Sequence, residues 1–92
     1  MLTLDRHVGI HPEVVSTELG DGETALLHLK TKTYFSLNGT GARIWWGLQR
    51  GLSLKEISQL LQSEFVVDSE RADRSVVELV DDLLRQQIVQ AL

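Results

Sequence analysis

Few side chains in this sequence are equipped for chemistry, and their spacing argues against each chemical use. The only imidazoles are His7, His11 and His28. His7 and His11 stand four apart, as two metal ligands on a helix would, but Gly9 and Pro12 oppose a helix there and no third ligand follows. His28 alternates with Leu27 and Leu29 in a strand-like run and is expected to face solvent or a partner. The carboxylates that come closest to acid–base pairs are Asp81-Asp82 and Glu70/Asp73. They share the polar side of an amphipathic stretch with Arg71, Arg74 and Arg85, which is the pattern of a solvated, salt-bridged face. Ser16, Ser36, Ser53, Ser58, Ser63, Ser69 and Ser75 include none in a nucleophile-elbow context. Gly39-Thr40-Gly41 lacks the spacing and the lysine of a phosphate loop and reads as a turn into a helix, where glycine supplies backbone freedom. With no cysteine in the chain, thiolate metal sites and thiol nucleophiles are excluded. The expectation is a chain that is not an enzyme and needs no cofactor or metal, so its function has to be sought in surfaces.

The 92 residues suffice for one small domain, because a shorter chain buries too little surface on folding and two domains would each fall below that limit. A hydrophobic fraction of 42% and a charged fraction of 24% belong to a chain that folds rather than to a disordered one. The N-terminus has no basic region followed by an apolar core, and no window approaches the ~20 apolar residues of a membrane span. A cytoplasmic protein is therefore expected. Nine basic against thirteen acidic side chains give a net charge of −4, which repels polyanions.

The elements that must position any site can be read in chain order. Residues 1–12 look like an arm or a short edge segment, with Pro12 holding His11 extended. Residues 13–37 carry a β-meander. Val14 to Leu19 forms a first strand, Gly20-Asp21-Gly22 a hairpin turn, Thr24 to Leu29 a second strand, Lys30-Thr31-Lys32 a connection and Thr33 to Leu37 a third strand. In a meander the third strand is an edge, with Phe35 and Leu37 facing the core and Tyr34 and Ser36 the other side.

A first helix over 38–51 is capped by Asn38 or Thr40, stops at Gly51, and puts Gly41, Ile44, Trp45 and Leu48 on one face with Trp46 off it. Ser53-Leu54-Lys55-Glu56 is a capping box opening a second helix over 53–65, whose Leu54, Ile57, Leu60, Leu61 and Phe65 form one core stripe. A third helix over 69–88, N-capped by Asp68, has Ala72, Val76, Val77, Leu79, Val80, Leu83, Leu84 and Ile88 spread over about 180°, wider than a surface helix needs. Either it is central, packed on both the sheet and the other helices, or a strip of it lines a groove beside the third strand, and the two readings are compatible. The class is α+β, winged helix-turn-helix-like, a three-stranded antiparallel sheet followed by three helices.

Two functions from different classes fit such a layout. A winged helix that reads DNA needs a basic recognition helix, whereas residues 69–87 carry three arginines against five acidic residues, a net of −2. Capture of a peptide by strand addition needs an open edge and pockets beside it, and meets no charge penalty.

The run Ala25-Leu26-Leu27-His28-Leu29, then Tyr34 to Trp45 with its Leu37-Asn38 step and Gly41-Ala42-Arg43-Ile44-Trp45, then Ser53 to Ile57, and finally Ser75-Val76, Leu79-Val80, Leu83 and Ile88-Val89, resembles the PqqD-like family. These are the precursor-peptide recognition elements (RRE) of ribosomal peptide (RiPP) biosynthesis, and the resemblance spans roughly Val14 to Val89. It implies a non-catalytic domain that binds a leader peptide as an added antiparallel strand on the third strand, over a groove closed by the third helix. Thr33, Tyr34, Phe35 and Ser36 would then run along the guest backbone, Ala72, Ser75, Val76, Leu79 and Leu83 would supply the facing wall, and Arg71 and Arg74 would meet leader carboxylates. Members serving pyrroloquinoline quinone synthesis tend to carry a Tyr-Pro-Glu-Gly-type turn where this chain has His28-Leu29-Lys30-Thr31-Lys32. The chain is more similar to the discrete recognition proteins of lasso-peptide clusters, which present a precursor to a separate leader peptidase and then a cyclase. Trp46 departs from the polar residue usual at its position and is expected either to contact such a peptidase or to lie flat on the domain's own surface. A peptide chaperone for quinone-cofactor synthesis and a DNA-binding regulator are the alternatives.

Overall fold

A computed structural model describes residues 3–92, so the first two residues of the expected arm lie outside the described residues. The elements follow the order β1 (Val8–Ile10), β2 (Val14–Glu18), a short 3-10 turn (Gly20–Gly22), β3 (Thr24–His28), β4 (Tyr34–Leu37), α1 (Gly39–Gln49), α2 (Leu54–Glu64), α3 (Ser69–Arg85) and β5 (Val89–Ala91). The meander read from the sequence is present as the antiparallel sheet β2-β3-β4 with β4 at its edge. Both hairpin turns use left-handed residues, Asp21 and Gly22 in the first and Lys32 in the second, as tight β-turns require.

The termini differ from the sequence expectation. The arm is a strand, because β1 pairs antiparallel with β5, Val8 opposite Ala91 and Ile10 opposite Val89, in a separate two-stranded sheet. Upstream of it the arm caps α2. The carbonyl of Arg6 accepts from the Leu54 amide at 3.0 Å and that of Leu4 from Lys55 at 2.7 Å. Ser53 and Glu56 complete the capping box, so the leading amides of α2 are satisfied by arm and cap together. Strands of three residues with partners at opposite ends of the chain leave no local alternation to read.

Helix α3 ends at Arg85, three residues earlier than its apolar pattern implied. Gln87 turns into the left-handed region at φ 61°, and the amides of Gln87 and Ile88 donate to the carbonyls of Leu84 and Leu83 at 3.1 and 2.9 Å. This is a Schellman end with glutamine where glycine is usual, and Ile88 packs beneath it fully buried. Without a glycine the sequence carried no stop signal.

The core joins Leu26 and Leu37 of the sheet to Ile44, Trp45 and Leu48 of α1, Leu54, Ile57 and Leu61 of α2, and Ala72, Val76, Val80 and Leu83 of α3. Helices α1 and α2 meet closely because Gly47 has no side chain: a Cβ there would come within 2.7 Å of Ile57 Cγ1. Arg43 and Glu64 tie the same helices together by two hydrogen bonds of 2.7 and 2.6 Å. Asp73, expected on the solvated face, instead accepts from buried Ser58 and joins α3 to α2. Other charges on that face pair as expected, Arg74 with Glu70 at 3.3 Å and Arg85 with Asp81. No helix among the described residues is long and apolar enough to cross a membrane.

His28 corrects another expectation. It faces neither solvent nor a partner but is 1% exposed at the end of β3. Its Nδ1 accepts from the amides of Lys30 and Thr31 at 3.2 and 3.3 Å, which organises the β3–β4 turn, and the His11 ring packs on it with centroids 4.5 Å apart. The double acceptor role places the proton on Nε2, which is buried without a partner. His28→Leu keeps the volume but leaves the two turn amides unsatisfied; chemical denaturation should show a loss of about 1–3 kcal/mol. Conversely, Gln87→Gly removes left-handed strain at the end of α3 and should raise stability by about 0.5–1 kcal/mol in the same assay.

Candidate functional site

The edge of β4 is open, and the register decides which of its backbone groups are free. The His28 amide donates to the Thr33 carbonyl at 2.9 Å, so 28 and 33 form a hydrogen-bonded pair. Continuing the ladder through Leu27 opposite Tyr34, Leu26 opposite Phe35 and Ala25 opposite Ser36, antiparallel alternation turns the amide and carbonyl of Phe35 inward to β3 and those of Tyr34 and Ser36 outward. The other side of β3 has the complementary parity, since the Leu29 amide donates to Glu13 at 2.9 Å. Of the four residues expected along a guest backbone, Tyr34 and Ser36 therefore offer main-chain groups. The Thr33 carbonyl is spent on His28, its amide on the Thr31 hydroxyl at 3.3 Å, and Phe35 is spent on β3.

Side chains alternate accordingly. Tyr34 is 63% exposed on the outer face, while Phe35 and Leu37 point to the helices. There α3 stands off from β4 and leaves a groove of about 450 Å³. Phe35, Ser36 and Leu37 line it on the sheet side, Gly41 and Ile44 of α1 form its floor, and Ser75, Glu78, Leu79 and Asp82 form its helical wall. Gly41 keeps that floor low, since a Cβ there would sit 3.4 Å from Leu37 and 3.7 Å from Leu79. Through Thr40 and Ser75 the groove continues into a second cavity of about 260 Å³, bounded by Leu61, Phe65, Val67, Arg71 and Ala72.

The wall expected from the helical wheel is partly displaced. Ser75 and Leu79 are on the groove, and Arg71 and Ala72 are on its continuation. Val76 and Leu83 are 0% exposed and belong to the core beneath. Arg74 lines neither cavity and pairs with Glu70. Asp82, expected on the solvated face, and Glu78, which entered the sequence reading only through the net charge of the helix, take the groove positions instead. The offset is a fraction of a helical turn, and only knowing which residues α2 covers would have fixed it. Trp46 is half-buried on α1, with the guanidinium carbons of Arg43 and Arg50 at 4.0 and 4.6 Å from its ring, so it lies along the domain's own surface beneath two cations. Among the described residues no cluster of three metal-ligating side chains occurs.

Comparison with known proteins agrees with this architecture. A search of curated proteins finds no match. Among solved structures, TbiB1 in complex with the TbiA(beta) leader peptide is similar at 34% identity with a TM-score of 0.83, over 88% of this chain and 93% of that one. A lasso peptide synthetase B1 complexed with the leader peptide is similar at 29% identity and a TM-score of 0.82, over 90% of this chain and 96% of that one. The family model for coenzyme PQQ synthesis protein D (PqqD) matches residues 23–89, from the start of β3 through α3 into β5, and the chain belongs to the PqqD family.

Proposed function

We propose that the protein captures the leader of a ribosomally made precursor of the lasso type as an added antiparallel strand on β4, and does no chemistry of its own. The observation that carries this reading is the pairing of outward main-chain groups at Tyr34 and Ser36 with a groove directly beside them, in which Phe35, Leu37, Ile44 and Leu79 give apolar contact surface among polar side chains. Strand addition needs both parts: backbone bonds hold the guest, and alternate guest side chains enter the groove beside Phe35, Leu37 and Leu79. Two similar structures, matched over nearly their whole length, are leader-peptide complexes, which supports the same reading.

By holding a precursor near a separate leader peptidase and then a cyclase, such a protein raises the local concentration of substrate at each enzyme. That role belongs in the cytoplasm, where precursors are made. Trp46 with its two arginines lies on α1, outside the groove lining, and is the surface we assign to contact with the peptidase. DNA binding is disfavoured by the acidic groove face of α3, where Glu78 and Asp82 would meet phosphates.

The register names the test. Proline at Ser36 removes an outward donor and projects its ring where the guest must lie, leaving the β3 ladder intact. With a fluorescent form of the leader from the first similar complex as probe, Ser36→Pro should weaken binding about tenfold or more in fluorescence polarisation while the circular dichroism spectrum stays native. Unchanged affinity would reject strand addition on β4. Phe35→Pro, by contrast, breaks an inward bond and should cost about 1–3 kcal/mol of fold stability. Trp46→Ala should leave leader affinity within about twofold and slow precursor cleavage when the cognate peptidase is co-expressed, since this half-buried ring lies outside the groove lining and truncating an aromatic at a protein contact weakens that contact.

A further inference from the structure

The charge around the groove has one sign. Among the described residues, the charged side chains lining the cavity beside β4 are Glu23, Glu78 and Asp82, and no lysine or arginine joins them. Nearby cations are committed elsewhere, Arg43 to Glu64, Arg74 to Glu70 and Arg85 mainly to Asp81, with only a 3.5 Å approach of Arg85 to Asp82. Glu23 and Glu78 have no ion pair among the described residues. Glu78 and Asp82 are also four apart on one helix, an arrangement of like charges that disfavours the helix unless a cation lies between them. Arg71, in the continuing cavity, marks where this acidic stretch ends.

We infer that the groove selects a guest strand carrying a lysine or arginine in the segment that pairs with Tyr34 and Ser36, placed so that its cation reaches Glu78 and Asp82 while neighbouring apolar side chains fill the space beside Phe35 and Leu79. This rests on the peptide-capture reading and adds the chemistry by which one peptide is preferred over another. Main-chain pairing accepts any sequence, and the apolar part of the groove at Phe35 and Leu79 discriminates weakly among apolar residues. A carboxylate in the guest at that position would face two like charges on the exposed rim of the groove, so rejection of acidic guests is as much a part of the selection as attraction of basic ones.

The experiment is selection of random sixteen-residue peptides displayed on phage against three full-length proteins: the wild type, Glu78→Lys/Asp82→Lys, and Glu78→Gln/Asp82→Asn. Wild-type binders should share a basic residue at one register, binders of the lysine variant an acidic residue at that same register, and binders of the amide variant no charge preference, with the apolar positions common to all three. Resynthesised wild-type binders with that residue changed to glutamate should bind about fivefold or more weakly at 50 mM salt, and the difference should shrink below about twofold at 500 mM as screening sets in. The same consensus from all three proteins would overturn the charge selection and leave peptide capture standing. No enriched peptide from any of them, with native circular dichroism spectra, would overturn both.

Discussion

The groove exists because α3 is anchored on one side and stands clear on the other. Ala72, Val76, Val80 and Leu83 are buried against the rest of the core, each valine or leucine contributing about 1.5–3 kcal/mol relative to exposure. Ser58 adds a hydrogen bond to Asp73 on the same side. So fixed, the helix holds Ser75, Leu79 and Asp82 along β4 without closing on it. A helix held less firmly would collapse onto Phe35 and Leu37 and cover the apolar surface that a guest is proposed to use. The apolar arc of α3 is wide for that reason: it serves the core with one strip and the groove with the next.

The two short terminal strands brace the same arrangement from behind. Strand β5 follows α3 after the left-handed turn at Gln87, and β1 pairs with it. The arm before β1 then caps the first turn of α2, the helix that α3 packs against. His11, just past β1, lies on His28, which shapes the turn leading into β4. The open edge is thus connected through His28 to the N-terminal arm, and through Gln87 the arm's partner strand is connected to the groove helix.

The meander, the capping box of α2 and the Phe35/Leu37 inward face were legible because each rests on neighbours in sequence: β-branched alternation, a Ser-x-x-Glu spacing, a glycine-rich turn. Features set by distant parts of the chain were not. Nothing around His28 announces that its ring is sealed by His11, and alternation with Leu27 and Leu29 pointed it the wrong way because both leucines are only partly buried or exposed on the opposite face. Gln87 gave no sign of ending α3, since glutamine rarely takes a left-handed φ. At the groove, the helical wheel of α3 found the apolar arc but not its rotation. It therefore assigned Val76 and Leu83 to the guest when they belong to the core, and it passed over Glu78 and Asp82.

Backbone parity had a similar limit. The sequence identifies an edge strand, yet whether even or odd positions turn outward depends on where the hairpin closes, and that is fixed by the His28 to Thr33 bond and the left-handed Lys32. Shifting that closure by one residue would exchange Tyr34 and Ser36 for Phe35 as the outward group and would also turn the apolar side chains out of the core. The burial of Leu37 forbids the second change, so it forbids the first. Core packing and the proposed binding edge are therefore one constraint: the residues that hold β4 to the helices determine which backbone groups a guest strand can reach.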